Sequence, residues 1–72
     1  MLKQIAALLV RTPFEPFSIV TTSGNEYRVE HPENAAVVGP RVVVMLPGGG
    51  GVVTLGGLHI AEIKDFSQSA EI

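Results

Sequence analysis

The sequence predicts a mostly β domain: a short N-terminal α-helix over residues 2–11, then five or six short strands in a strongly bent small barrel. Three observations lead there. Leu2, Ile5, Leu8 and Leu9 recur at helical spacing and the pattern stops at Pro13. From Phe17 onward β-branched and aromatic residues dominate, with alternating runs. Glycines, prolines and asparagines divide that stretch into short segments, each long enough for a strand and too short for a helix.

The elements follow in order. Ala6 and Ala7 favour the helix, whose apolar stripe must pack on the rest, since about three turns do not hold alone. Lys3, Gln4 and Arg11 are expected to stay solvated. Pro13 ends the helix because the residue before a proline leaves the α region. Pro13-Phe14-Glu15-Pro16 is an extended connector. Phe17–Thr22 is the first strand and Ser23-Gly24-Asn25 the first turn. Residues 25–31 alternate, Tyr27, Val29 and His31 on one face and Glu26, Arg28 and Glu30 on the other. Pro32, with no amide hydrogen, breaks the ladder, and Glu33-Asn34 turns the chain.

Ala35–Val38 is a third strand, closed by Gly39-Pro40. Arg41–Leu46 is the most apolar strand, expected to be central and buried on both faces. Pro47 and four glycines make a loop. Val52–Leu55 follows, then Gly56-Gly57, then a last strand over Leu58–Ile63. One domain spans residues 1–66, and residues 67–72 are a polar tail expected to fray. Closing the strands into a barrel removes the open edges that a single curled sheet would leave.

Composition narrows the function. A chain of 72 residues buries only about 60% of its unfolded surface, so its core is small. Such domains usually need a disulfide, a metal or a partner subunit. There are no cysteines, which excludes disulfides and thiolate metal sites. Hydrophobic residues make up 46% of the chain and charged residues 17%, below the usual ~25%, so apolar surface is left to cover. The expectation is a homo-oligomer built through edge strands. Five Lys and Arg against seven Asp and Glu form no basic block of the kind that binds nucleic acid nonspecifically, although an oligomer could repeat one cation around a ring. Residues 5–10 are too short to span a membrane and no cleavage site follows them, so no membrane partner and a cytoplasmic location are expected.

No motif points to catalysis. Gly48–Gly51 lacks the Lys-Ser/Thr pair of a phosphate loop, and Val52-Val53-Thr54 does not open a helix, so the segment reads as a hairpin loop. His31 and His59 each stand near carboxylates, Glu30 and Glu33 for one and Glu62 for the other. They would hold a metal only if the fold joined them, and capping a turn or filling a strand face is the simpler role. Nothing positions Ser18, Ser23 or Thr54 as a nucleophile. The chain is therefore expected to be no enzyme and to take no cofactor. A small enzyme using His31 or His59 is the weakest of three alternatives.

Pro13-Phe14-x-Pro16-Phe17-x-Ile19, Gly24 in a turn and Val29-x-His31-Pro32-Glu33, following a helix, resemble a group of short uncharacterised bacterial proteins, a likeness that implies no function. Pro16-Phe17-Ser18-Ile19 with Gly24, and Leu58-His59-Ile60-Ala61-Glu62-Ile63, resemble the first hairpin and the closing segment of Sm-like proteins of the Hfq type. That resemblance implies a short helix, five strongly bent strands, ring assembly through strand edges, and RNA as a partner. Ser23 stands where the family has Asn, Val29 where it has Gly, Leu58 where it has Lys, and Glu33-Asn34 near its Phe-Asp pair; only His59 carries over. SH3-like barrels share the strand count. The first functional expectation is an interaction and assembly module without chemistry of its own. The second is an Sm-like RNA-binding ring, with His59, His31, Arg41 and Lys64 as candidate contacts to RNA or a partner.

Overall fold

The computed structural model describes residues 1–65; the expected tail at 67–72, and Phe66 before it, lie outside the described residues. One α-helix and six strands appear: α1 Leu2–Val10, β1 Phe17–Thr21, β2 Glu26–Val29, β3 Ala35–Val38, β4 Arg41–Met45, β5 Val52–Gly56 and β6 Ile60–Asp65. They form two three-stranded antiparallel sheets, ordered β2-β1-β6 and β3-β4-β5. Among the described residues no strand pairing joins the two sheets into a closed barrel.

Two short 3₁₀ turns carry the chain between the sheets. Pro32–Asn34 leads from β2 to β3, and Gly57–His59 leads from β5 to β6. The second is tied at both ends. The Gly57 N–H donates to the Pro40 carbonyl at 3.0 Å, and the Thr22 N–H donates to the His59 carbonyl at 2.8 Å. It therefore fixes the β3–β4 turn and the β1–β2 turn relative to one another. Gly57 has no side chain for a reason: a Cβ there would lie 3.1 Å from Leu2 Cδ1 of the helix.

The core lies between the inner faces of the sheets and the helix. Phe17 and Ile19 of β1, Val29 of β2, Ala35 of β3, Val42 and Val44 of β4, Leu55 of β5 and Ile60 of β6 are buried around Ile5 of α1. Leu2, Leu8 and Leu9 complete the helix stripe as the spacing predicts, while Val10 is exposed. The helix packs over β3.

Four expectations need correction. The helix ends at Val10, and Arg11 is already extended (φ −69°, ψ 151°). Arg11 is not solvated: its Nη1 and Nη2 each donate to an Asp65 carboxylate oxygen at 3.0 Å, and Nη2 also donates to the Glu15 carbonyl at 2.9 Å. This planar fork pins the helix exit to the end of β6. β4 is central, but it buries only alternate residues; Val42 and Val44 face inward, Val43 is half-buried and Arg41 and Met45 are exposed. The reason is that β4 has the core on one face and no other element among the described residues on the other. Finally, Leu58 and His59 belong to a 3₁₀ turn and not to the last strand, which starts at Ile60. A strand continuing straight from Gly56 could not turn from one sheet to the other.

Candidate functional site

The two sheets carry different outer faces, and the candidate residues divide between them. On the first sheet the register sets Ser18 beside Arg28 and Lys64, and Val20 beside Glu26 and Glu62. The Lys64 ammonium reaches Glu26 Oε1 at 3.4 Å across the intervening strand, and Arg28 pairs with Glu30. Ser18, flanked in register by Arg28 and Lys64, is fully buried. The Ser18 hydroxyl, then the Lys64 ammonium, holds the Glu26 carboxyl below its ordinary value. Lys64 thus sits in an ion pair on a charged face.

The second sheet is the opposite. Its outward residues are Ala36 and Val38 on β3, Arg41, Val43 and Met45 on β4, and Val52, Thr54 and Gly56 on β5. Val38, Met45 and Val52 are 60%, 50% and 61% exposed, so this is an apolar face open to solvent. Arg41 is the one charged residue on its strands, and Glu33 of the preceding turn borders it, lining a small hollow with Ala36, Val43, Met45 and Val52.

The fold brings Arg41 and His59 together. Both line an apolar hollow of about 380 Å³ with Leu2, Pro40 and Leu58. His59 is exposed in the 3₁₀ turn, and Leu58 beside it is 94% exposed. His31 lies elsewhere. β2 ends at Val29, so His31 is not on the Tyr27–Val29 face as the alternation predicts; it is exposed, with its carbonyl accepting the Asn34 N–H at 3.0 Å. Pro32 causes this, since it cannot donate to a ladder and holds residue 31 extended (φ −139°, ψ 152°). The four candidates therefore make no single site. Among the described residues no group of three or more His, Asp or Glu is placed to hold a metal.

One grouping escapes sequence reasoning. Thr21, Thr22, Ser23, Asn25 and Tyr27 of the first hairpin meet Thr54 and His59 around a hollow of about 260 Å³. The Thr21 hydroxyl accepts the Asn25 N–H at 3.1 Å and lies 2.9 Å from the Ser23 hydroxyl, so part of this polar cluster is turn chemistry. The run Thr21-Thr22-Ser23 is visible in the sequence, but its approach to Thr54 depends on the 3₁₀ turn. A third hollow of about 460 Å³ lies between β2 and Leu46-Pro47. No helix among the described residues is long and apolar enough to cross a membrane. Comparison of the chain with protein-family models, with curated proteins and with solved structures gave no match.

Proposed function

We propose that this protein is a small self-associating interaction module without catalytic activity, acting in the cytoplasm. The observation that carries the proposal is the exposed apolar outer face of the β3–β4–β5 sheet. A three-stranded face of one four-residue and two five-residue strands presents roughly 250 Å² in projection, below the ~800 Å² per partner of a standard interface. Strand edges must therefore contribute as well as the face. The absence of cysteines fits the same proposal, because a core this small has no covalent staple.

The architecture belongs with this proposal: a strongly bent small barrel, Sm-like or SH3-like. Its support is the Gly57–His59 turn, hydrogen-bonded to both sheets, and the Pro32–Asn34 turn on the other side. Sedimentation equilibrium from micromolar to millimolar chain tests the function. Masses above one chain that rise with concentration are expected; one chain throughout would refute self-association.

An Sm-like RNA-binding ring is the second possibility, favoured by the shared hollow of Arg41 and His59. RNA would then co-purify and raise the 260/280 nm absorbance ratio, and oligonucleotide binding would weaken with salt. A ratio typical of free protein with no salt-sensitive binding removes that possibility.

A further inference from the structure

Among the described residues the two sheets leave four strand edges, and three are protected. β2 carries Glu26 and Arg28. β6 carries Glu62, Lys64 and Asp65, and its register shifts against β1 between Val20 and Thr21. β3 lies under α1. Charges, irregular register and a covering helix are the usual devices that stop an edge from pairing. β5 has none of them. Val52-Val53-Thr54-Leu55-Gly56 contains no charge and no proline, and its register with β4 is unbroken.

The hydrogen-bonding direction of β5 is fixed at both ends. The Leu46 N–H donates to the Gly51 carbonyl at 2.8 Å, and the Gly57 N–H donates to the Pro40 carbonyl at 3.0 Å. Bonded and non-bonded pairs alternate along an antiparallel ladder. Val53 and Leu55 therefore turn their amides and carbonyls toward β4. Val52, Thr54 and Gly56 turn theirs outward; no strand among the described residues is hydrogen-bonded to them, and Thr54 and Gly56 border the hollow of about 260 Å³ that separates this edge from Thr21, Thr22, Ser23 and Asn25 of the first hairpin.

We infer that β5 pairs antiparallel with β5 of a second copy across a two-fold axis at Thr54. This rests on the self-association proposed above and names the surface. The register follows from the outward groups. Thr54 against Thr54 of the second copy, flanked by Val52 against Gly56, uses all three outward residues on each chain, whereas a shift of two residues leaves one of them unpaired. On the inner face Val53 then adjoins Leu55 of the second copy, extending the core sideways. The charge pattern selects the occupant. A β2 or β6 edge laid on β5 would set Glu, Arg or Lys beside Val52 and Thr54 with no counter-charge, whereas β5 on β5 sets neutral beside neutral. An edge about 17 Å long is a small interface, so dissociation falls in the micromolar to millimolar range.

Thr54→Cys tests this directly, because the chain has no other cysteine. A hydrogen-bonded antiparallel pair has Cα atoms about 5.5 Å apart, within disulfide reach. Mild oxidation is expected to convert Thr54→Cys to covalent dimer on a non-reducing gel. Val38→Cys, exposed on the opposite edge of the same sheet, should give little dimer. Thr54→Pro is the second variant. It removes an outward N–H and none of the bonds to β4, so far-ultraviolet circular dichroism should be unchanged while self-association weakens about tenfold or more. Thr54→Cys dimerising no faster than Val38→Cys, or Thr54→Pro associating as the wild type does, overturns the β5 pairing and leaves self-association standing. A wild-type chain that stays single at every concentration removes both.

Discussion

The two sheets have the same number of strands, the same antiparallel pairing and a shared core, yet their outer faces are opposites. The β2–β1–β6 sheet carries paired charges on its outer face: Lys64 reaches Glu26, Arg28 pairs with Glu30, and Ser18 between them is buried and Val20 half-buried. The β3–β4–β5 sheet leaves Val38, Met45 and Val52 in water. The helix does not explain the difference, because α1 adds to the core side and does not cover that outer face. In a small domain every side chain that enters the core is matched by a neighbour in the strand that points out. What those outward neighbours are tells whether a sheet is meant to be solvated or covered.

If the inner faces are equivalent and only the outer faces differ, inner substitutions should be severe on both sheets. The largest expected effect is Val44→Asp. Val44 is 1% exposed at the centre of the second sheet, and an unpaired carboxylate there costs several kcal/mol. A domain of 72 residues has about 4–11 kcal/mol in total, so the variant should be unfolded by circular dichroism at 25 °C. A cooperative melt for it would show that β4 is not at the core. On the first sheet, Phe17→Ala removes the largest fully buried side chain and its tilted contact with Phe14, and should lower urea-unfolding stability by about 3–5 kcal/mol.

Outer substitutions should separate the sheets. Val38→Lys with Met45→Lys puts two charges on the apolar face of the second sheet, at positions 60% and 50% exposed. Monomer stability should change by no more than about 0.5 kcal/mol for each site. Sedimentation should show weaker self-association. Equal association by this variant and the wild type would mean that the apolar face is solvated after all, and the contrast between the sheets would lose its meaning.

Much of this contrast was legible in the sequence, and some of it was not. Leu2, Ile5, Leu8 and Leu9 announce the helix stripe because helical spacing is a local property, and Glu26, Arg28 and Glu30 announce a wet face for the same reason. Arg41–Met45 misleads. Its run of valines reads as burial on both faces, since apolarity alone does not distinguish a face covered by the chain from one covered by another molecule. Arg11 reads as solvated because Asp65, its partner, lies 54 positions away and nothing local marks the pair. His59 reads as part of a strand because a 3₁₀ turn of three residues has no period to detect, and its carbonyl bond to Thr22 is again long-range. The candidate site fared worse than the fold for this reason. Arg41 meets His59 only through that turn, and Thr54 meets the first hairpin the same way.

The smallest effect tests whether the charged face is really finished by its own groups. The Glu26 carboxyl is held below its ordinary value in the folded chain because the Ser18 hydroxyl and then the Lys64 ammonium favour its charged form. A lowered carboxyl value contributes stability that is present above the unfolded value and lost as pH falls through the folded one. The loss should therefore begin in the ordinary carboxylate range and be complete only below the lowered folded value, and neutral pH should be unaffected. Carboxyl-carbon NMR titration should place the Glu26 midpoint under 4.5. Ser18→Ala should raise it more than Lys64→Ala does, following the order of the two causes. High salt should raise it only partly, because it screens the exposed Lys64 pair and leaves the hydroxyl in place. A midpoint that salt alone restores to its ordinary value would assign the whole shift to Lys64. Ser18 Oγ is buried with no hydrogen-bond partner among the described residues, so that result would leave the carboxylate held by its charges alone.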